Sequence, residues 1–162
     1  MRRIKPGPGQ ESVWDYPRPP RIEPETRQVR VIFNGQSVAR SDRAKRVLET
    51  SHPPGIYIPR EDFVADALRS ASGTSFCEWK GQAAYWDVVA DGAVADAAGW
   101  SYPDPTPPFV EIAGYVSIYP GRVDACYLGE EQVEAQEGNF YGGWITAEIV
   151  GPFKGAAGTW GW

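Results

Sequence analysis

Residues 27–41 have the sequence RQVRVIFNGQSVARS, and this stretch predicts a β-hairpin. Val29, Val31 and Phe33 occupy every second position, which is the spacing that places side chains on one face of a strand. Asn34-Gly35 follows, and this pair suits the two-residue type I′ turn because both residues tolerate a positive φ. The stretch therefore indicates two antiparallel strands joined by a tight turn.

The rest of the chain favours short strands in the same way. Its 162 residues match the length of one domain, and they include 18 Gly, 15 Pro, 7 Trp and 8 Tyr. Gly and Pro divide a chain into short elements, and aromatic residues are enriched in strands. No internal repeat is present. The composition predicts a mainly β domain of the barrel or sandwich type and disfavours a parallel βαβ sheet.

One segment has the periodicity of a helix. In REDFVADALRSAS, residues 60–72, the apolar side chains of Phe63, Val64, Ala67 and Leu68 recur at helical spacing, and a proline precedes the segment. This pattern predicts one short helix.

The two ends of the chain are expected to form extended arms. Residues 1–26 contain six prolines, which remove backbone donors and disfavour helix, so Trp14 and Tyr16 are expected to anchor this arm. The prediction divides the chain into an arm at 1–26, a β domain at 27–150 and a wrapping tail at 151–162.

The charge of the chain is asymmetric. The net charge is −5, but residues 1–46 carry 11 basic and 5 acidic side chains (+6), which leaves 5 basic and 16 acidic ones (−11) in residues 47–162. The arginines are dispersed, so we expect them to pair with the acidic half and do not expect nucleic acid as a partner.

The sequence also predicts where the protein resides. No apolar run approaches the about 20 residues of a membrane span. No hydrophobic segment follows the basic amino terminus, and the two cysteines fit free thiols in a reducing compartment at least as well as they fit one disulfide. A cytoplasmic protein without a membrane partner is therefore expected.

Residues 74–86, TSFCEWKGQAAYW, hold the main candidates for chemistry. Two paired strands joined around residues 80–82 would place Cys77 and Lys80 on opposite faces, because side chains alternate along a strand. Unless a bulge turns Lys80 back, the pair cannot act together. The hypothesis is therefore that Lys80 alone lies at the edge of a cavity.

Metal and phosphate signatures are missing from the sequence. One histidine and two isolated cysteines do not make a zinc site, which needs four ligands, so no metal is expected. The chain has neither a phosphate-binding glycine loop nor the closely spaced aspartates typical of two-metal nucleotidyl transfer. No cofactor is expected.

Six segments together resemble the bacterial family catalogued as domain of unknown function 427. They run in the family's order as ESVWDYPRPPRIEP, RVLETSHPPGIYIP, CEWKGQAAYWDV, WSYPDPTPPF, AGYVSIYPGRVDAC and FYGGWITAEIVGPFKG, from Glu11 to Gly155. The resemblance implies a β-tent fold, which is shared with the ligand-binding domain of cereblon and with yippee-type proteins. Those relatives often hold zinc with two C-x-x-C motifs that this chain lacks. The family's function is unsettled, and its nucleotidyltransferase label finds no motif here.

The resemblance also implies which residues matter. The matching positions are Glu49, His52, Tyr57, Asp62, Thr74, Cys77, Lys80, Gly81, Tyr85, Tyr102, Gly114, Tyr115 and Asp124. Gly81 and Gly114 are expected to serve backbone geometry, and Asp62 is expected to serve the start of the helix. The polar positions are the candidates for a pocket.

The leading hypothesis is an uncharacterised β domain that binds a small polar or anionic ligand. Lys80 and His52 would donate hydrogen bonds and Glu49 would accept one. Aromatic walls would come from Tyr57, Tyr85, Trp100 and Tyr102. Two alternatives stay open. One is a transferase or hydrolase with Cys77 or Lys80 as nucleophile and Glu49 or His52 as base. The other is a protein-interaction domain whose aromatic arms build a homodimer.

Overall fold

The structure, a computed structural model, describes residues 2–138, 140–159, 161 and 162 and consists mainly of short β-strands. The strands are β1 (Glu11–Ser12), β2 (Arg21–Pro24), β3 (Val29–Phe33), β4 (Gln36–Ser41), β5 (Lys45–Leu48), β6 (Gly55–Tyr57), β7 (Leu68–Cys77), β8 (Gly81–Ala90), β9 (Ala93–Ser101), β10 (Val116–Ile118), β11 (Ala125–Leu128), β12 (Glu131–Gln132), β13 (Glu134–Ala135), β14 (Trp144–Ile145) and β15 (Ile149–Val150). The helical segments are 3₁₀ turns at Val13–Asp15, Arg60–Asp62, Pro107–Ile112 and Pro120–Arg122. Within the described residues there is no α-helix.

Two four-stranded antiparallel sheets form most of the domain. Their strand orders are β10-β9-β8-β7 and β12-β11-β3-β4. A three-stranded sheet, β2-β5-β6, lies beside them, and the pairs β1-β15 and β13-β14 complete the fold. In the described part of the chain no sheet closes into a barrel. The predicted single, mainly β domain is confirmed.

The hairpin predicted at residues 27–41 is present as β3 and β4. Asn34 and Gly35 have φ values of 50° and 72°, the backbone conformation that a type I′ turn requires. The carboxylate of Asp124 accepts a hydrogen bond of 2.9 Å from the backbone N–H of Gly35. The hairpin turn is therefore tied to the segment that enters β11.

The helix predicted at residues 60–72 is wrong. Only Arg60–Asp62 makes a single 3₁₀ turn, and the chain then runs extended into β7 from Leu68. The backbone N–H of Val64 donates to the carbonyl of Val38 in β4 at 2.9 Å, so hydrogen bonding to a neighbouring strand replaces the helical pattern. Val64, which the predicted helix would have placed on its buried apolar face, is 52% exposed.

Asp62 likewise has a different role from the one expected. Its carboxylate accepts a hydrogen bond from the hydroxyl of Ser41 at 2.6 Å and pairs with Arg43 at 2.8 Å. These contacts hold the pKa of Asp62 below its usual value, with the hydrogen bond from Arg43 as the largest cause. Asp62 therefore fastens the segment after β6 to the end of β4.

The main hydrophobic core lies between the two large sheets. Val31 from β3, Val88 from β8 and Ile118 from β10 are fully buried in it. Trp144, which is 1% exposed, extends this core, and its indole N–H donates to the carbonyl of Ile118 at 2.9 Å. The hydrogen bond satisfies the one polar atom of a large buried side chain.

The amino-terminal segment is anchored by the residues that the sequence indicated. Tyr16 is buried in a cluster with Val13, Leu48 and Ile149, and Trp14 packs against this cluster. The indole N–H of Trp14 donates to the carbonyl of Pro152 at 2.9 Å, which joins the two ends of the chain. Within this segment β2 pairs along its whole length with β5, so the predicted arm contributes a strand to a sheet.

Several arginines of the basic segment form ion pairs with carboxylates. Arg27 pairs with Glu148 at 3.0 Å and Arg43 pairs with Asp62, and both carboxylates belong to the acidic part of the sequence. Arg46 instead contacts Glu11 within its own segment.

In the described part of the chain, no helix has the length and apolar character needed to cross a membrane.

Candidate functional site

A cavity of about 260 Å³ opens where the β7–β8 turn, the segment before β6 and the glycine-rich loop before β14 meet. Eight of the residues that the sequence suggested for the site line it, namely Glu49, His52, Tyr57, Cys77, Lys80, Tyr85, Trp100 and Tyr102. The sequence proposed these eight residues for ligand binding or catalysis. The structure shows that their side chains surround one cavity. Three other polar positions that the family resemblance indicated, Thr74, Tyr115 and Asp124, are not part of this lining.

The turn between β7 and β8 places Lys80 in this cavity. β7 ends at Cys77, which pairs directly with Gly81 at the start of β8. Residues 78–80 form the turn, and Gly81 has a φ of 105°, which suits glycine. The backbone of residues 104–106 lies 3.6–3.7 Å from the place that a Cβ on Gly81 would occupy. The expected geometric role of Gly81 is thereby explained.

The prediction that Cys77 and Lys80 point to opposite faces is wrong. The amine Nζ of Lys80 lies 3.7 Å from the thiol Sγ of Cys77. The alternation of side chains holds only while the strand continues, and here the strand ends at Cys77. Turn geometry brings the amine back over the thiol, so the two groups form a pair on the cavity wall.

Lys80 is unusually enclosed for a lysine. It is 9% exposed, and its Nζ lies 5.6 Å from the centre of the Tyr102 ring. Among the described residues no carboxylate forms an ion pair with it. Lysines are almost never fully buried unless they are paired. Lys80 is therefore an enclosed basic side chain in the cavity, and within the part of the chain that the structure describes its amine makes one polar contact, with the thiol of Cys77.

His52 is a neutral member of the site. Burial, together with the smaller effects of the positive charges of Lys154, Lys80 and Arg18, lowers its pKa to about 4. Its Nε2 lies 3.8 Å from a carboxylate oxygen of Glu49, and its Nδ1 lies 3.4 Å from the side-chain nitrogen of Gln136. A neutral imidazole has one donor and one acceptor nitrogen, so His52 can offer either to a polar ligand.

Aromatic side chains form the apolar walls. The Trp100 ring lies between Tyr57 and Tyr119, with ring centres 6.1 and 4.5 Å away, and its N–H donates to the hydroxyl of Tyr57 at 3.2 Å. Burial raises the pKa of Tyr57 and of Tyr102, so both keep neutral hydroxyls. The hydroxyl of Tyr85 donates to Ser75 at 2.9 Å. The walls thus combine flat apolar surfaces with neutral hydroxyl groups.

Sequence reasoning missed the far wall of the cavity. It is built by side chains from the loop before β14 and from the tail, namely Gln136, Phe140, Tyr141 and Lys154, together with Trp79 and Tyr119. Gln136 connects them, because it donates to the carbonyl of Lys154 at 2.6 Å and accepts from the N–H of Gly143 at 3.0 Å. The paired glycines of FYGGWI were the available signal, since a close approach of backbone to aromatic rings requires glycine.

The donor set of the cavity does not resemble a metal site. Among residues 2–138, 140–159, 161 and 162, no three His, Cys, Asp or Glu side chains are grouped closely enough to hold a metal ion. Glu49 and His52 are neighbours, but a zinc site uses three or four such ligands.

Fold and cavity define the class as a single mainly β domain with an aromatic-walled, lysine-containing pocket. A family model described as "Domain of unknown function (DUF427)" matches residues 21–129, about two thirds of the chain. The chain therefore belongs to this family, as its sequence segments indicated. A search of the curated proteins gives no match. The matched region includes Lys80 and the other predicted site residues, whereas Gln136, Tyr141 and Lys154 lie beyond it.

Proposed function

We propose that the cavity binds a small polar ligand with an anionic group. The observation that carries this proposal is Lys80, a buried ammonium without a carboxylate partner among the described residues. A buried charge is costly unless an opposite charge or several hydrogen bonds compensate it. An anionic ligand group would supply this compensation when it enters the cavity.

The remaining lining supports a ligand that also has a flat apolar part. Trp100, Tyr57 and Tyr102 offer ring faces, while His52 and Gln136 offer neutral donors and acceptors. Ligand sites usually combine apolar walls with a few convergent polar groups and have volumes of roughly 300–1,000 Å³. The cavity, at about 260 Å³, is slightly smaller than this range and suits a small molecule.

Phenyl phosphate is a suitable first probe because it joins one ring to one anion. We expect isothermal titration calorimetry to show tighter binding of phenyl phosphate than of phenol or inorganic phosphate. Lys80→Met keeps the apolar stem but removes the charge, and it should weaken phenyl phosphate binding about tenfold or more, since a charge-assisted contact contributes roughly 1.5–3 kcal/mol. Lys5→Met, at an exposed position, is the matched control and should bind as the wild type does.

Equal affinities of the wild type and Lys80→Met for phenyl phosphate would contradict the proposal. So would the absence of binding by both phenyl phosphate and benzoate, which carries the same ring with a carboxylate. Thermal unfolding of each variant establishes that the substitution has left the fold intact.

The contact between Cys77 and Lys80 favours a second candidate function, a transferase or hydrolase. A thiol nucleophile is activated by a neighbouring cation that stabilises its thiolate form, and the Lys80 amine lies 3.7 Å away. The expected observation is a burst of p-nitrophenol from p-nitrophenyl acetate that Cys77→Ala and Lys80→Met both abolish. A burst that survives in Cys77→Ala would remove the thiol from this reaction.

Protein interaction is the third candidate function, and the arms offer it less support than the cavity offers ligand binding. Trp14 and Tyr16 pack against their own domain, whereas Phe76 and Phe140, 74% and 61% exposed, lie at the mouth of the cavity. We also propose a cytoplasmic setting, because Cys77 and Cys126 are both free thiols. The family resemblance adds the proposal that the source is bacterial.

A further inference from the structure

We propose that Cys77 and Lys80 form an oxidation-dependent covalent cross-link, a sulfenamide in which Sγ of Cys77 is bonded to Nζ of Lys80. The inference is independent of the proposed ligand. It combines a cysteine on the cavity wall with a lysine that is nine-tenths buried, lacks a carboxylate partner among the described residues and lies 3.7 Å from the thiol.

The β7–β8 turn brings these two groups together before any reaction. Cys77 is the last residue of β7 and pairs with Gly81, the first residue of β8. The backbone N–H of Thr106 donates to the carbonyl of Lys80 at 3.1 Å, which fastens the turn from outside the hairpin. Only three positions separate the thiol and the amine, and both ends of the turn are held. If the sulfur of Cys77 becomes reactive, the amine of Lys80 in the adjoining turn is already close to it.

The surroundings favour the amine over other reaction partners. Cys126, the second cysteine, is 1% exposed in the main core, and burial raises the pKa of its thiol. It belongs to the β11 sheet, whereas Cys77 faces the cavity. Cys77 is half-buried, so a small oxidant can reach it through the cavity. Among the described residues, the nucleophile that contacts the sulfur of Cys77 is the amine of Lys80.

The chemistry balances with a peroxide as the oxidant. Hydrogen peroxide transfers one oxygen to the thiol, which gives the sulfenic acid and one water, and sulfur is oxidised by two electrons while peroxide is reduced. Once the ammonium of Lys80 has given a proton to water, its amine attacks sulfur, the S–O bond breaks, and the departing hydroxide takes a second proton from nitrogen to form a second water. Condensation of a sulfenic acid with a backbone nitrogen follows the same course. A thiol reductant reverses the link.

The link would change the cavity as well as the thiol. The positive charge of Lys80 would be lost, and the side chain would be held against β7. If the cavity binds an anionic group through Lys80, oxidation would release it. This consequence rests on the proposed function, whereas the covalent bond does not.

Mass spectrometry of the whole protein tests the bond directly. After treatment with hydrogen peroxide, we expect a loss of about 2 Da, because one sulfur and one nitrogen each give up a hydrogen. Trypsin normally cleaves after Lys80, and it should then fail there and release residues 70–122 as one peptide. Dithiothreitol should restore both the mass and the cleavage.

Three controls separate the link from general oxidation. Cys77→Ser and Lys80→Met should each prevent the 2 Da loss, and protein oxidised in guanidinium should not form the link because the turn is unfolded. Normal cleavage after Lys80, with Cys77 advancing to sulfinic acid at a gain of about 32 Da, would overturn the proposal. A gain of about 14 Da with cleavage blocked would also overturn it, since that mass requires an oxygen bridge in place of the direct bond.

Discussion

At the scale of single residues, His52 couples the cavity to the stability of the fold. Its side chain is 15% exposed, and burial is the largest cause of its lowered pKa of about 4, against 6.5 for an exposed histidine. Between these two values the unfolded chain binds a proton that the folded chain does not bind. The folded state therefore loses stability as the pH falls from about 6.5 towards 4.

We predict that this loss amounts to about 2 kcal/mol of unfolding free energy between pH 7.5 and pH 5. Urea unfolding of the wild type and of His52→Gln at both values measures it. The variant cannot take up the proton, so its stability should fall by about 2 kcal/mol less than that of the wild type. Parallel falls in the two proteins would show that His52 is protonated in the folded state as easily as in the unfolded state.

Gly142 is the residue on which the aromatic wall depends. A Cβ at this position would lie 2.3 and 2.6 Å from two ring atoms of Trp100 and 3.1 Å from Tyr119. The ring cannot yield freely, because Tyr119 packs against it and its N–H is bonded to Tyr57. Only glycine allows the loop to approach so closely.

Gly142→Ala is therefore expected to lower the unfolding free energy by about 1–3 kcal/mol, the usual cost of overpacking. Urea unfolding measures the cost, and the emission of Trp100 should shift because its ring must move. Gly121→Ala is the matched control, since its Cβ would meet nothing closer than Ala135 at 3.6 Å. A stability equal to that of the control would show that the loop retreats without cost.

At the scale of elements, the amino-terminal segment illustrates how a proline-rich stretch can still belong to a sheet. β2 contains a single proline, and it stands at the end of the strand, where a missing N–H is tolerated. Ahead of β2, Val13 and Tyr16 are buried against Leu48. The segment is thus divided into a peripheral part before Gln10 and an integrated part after it.

Two truncations should separate these parts. A chain that begins at Gln10 loses the hydrogen bond of Ile4 to Gly151 and should lose less than about 1 kcal/mol of unfolding free energy. A chain that begins at Glu25 also loses Val13, Tyr16 and β2. It should lose at least about 4 kcal/mol, since each fully buried large side chain contributes roughly 1.5–3 kcal/mol. Similar urea midpoints for both truncations would contradict this division.

The elements also show why one prediction failed. Residues 60–72 have helical periodicity, but in the structure the carbonyl of Val38 accepts from Val64, and Leu68 starts β7 beside β8. Pairing with strands that are distant in sequence replaced a helix of about three turns that would have been marginal by itself. The hairpin at residues 27–41 needed no such outside partner, because its turn and its alternation both lie within fifteen residues.

At the scale of the whole molecule, the aromatic residues of the amino-terminal arm make their contacts inside their own chain. The indole N–H of Trp14 donates to the carbonyl of Pro152, and the hydroxyl of Tyr16 donates to the carboxylate of Glu11 at 2.7 Å. Two exposed rings, Phe76 and Phe140, lie at the cavity mouth, whereas a stable interface buries about 800 Å² and some 20–30 residues per partner.

We accordingly predict a monomer. Sedimentation equilibrium of the full chain should give a mass near 17.9 kDa. A chain that ends at Gly151 should give a monomer mass as well. Twice the monomer mass for the full chain, lost in the truncated one, would instead support the interaction function and place the contact in the tail.

The amino-acid sequence by itself determined the mainly β character of the domain, the hairpin at residues 27–41 and eight side chains that line the cavity. Turn residues and strand alternation act between near neighbours, so they can be recognised without a partner. Only the tertiary structure decided that Lys80 lies against Cys77, because the end of β7 reverses the direction of the chain. It also decided that Gln136 and Lys154 close the cavity, since contacts across some 50–100 residues depend on how separate sheets pack and not on any local pattern.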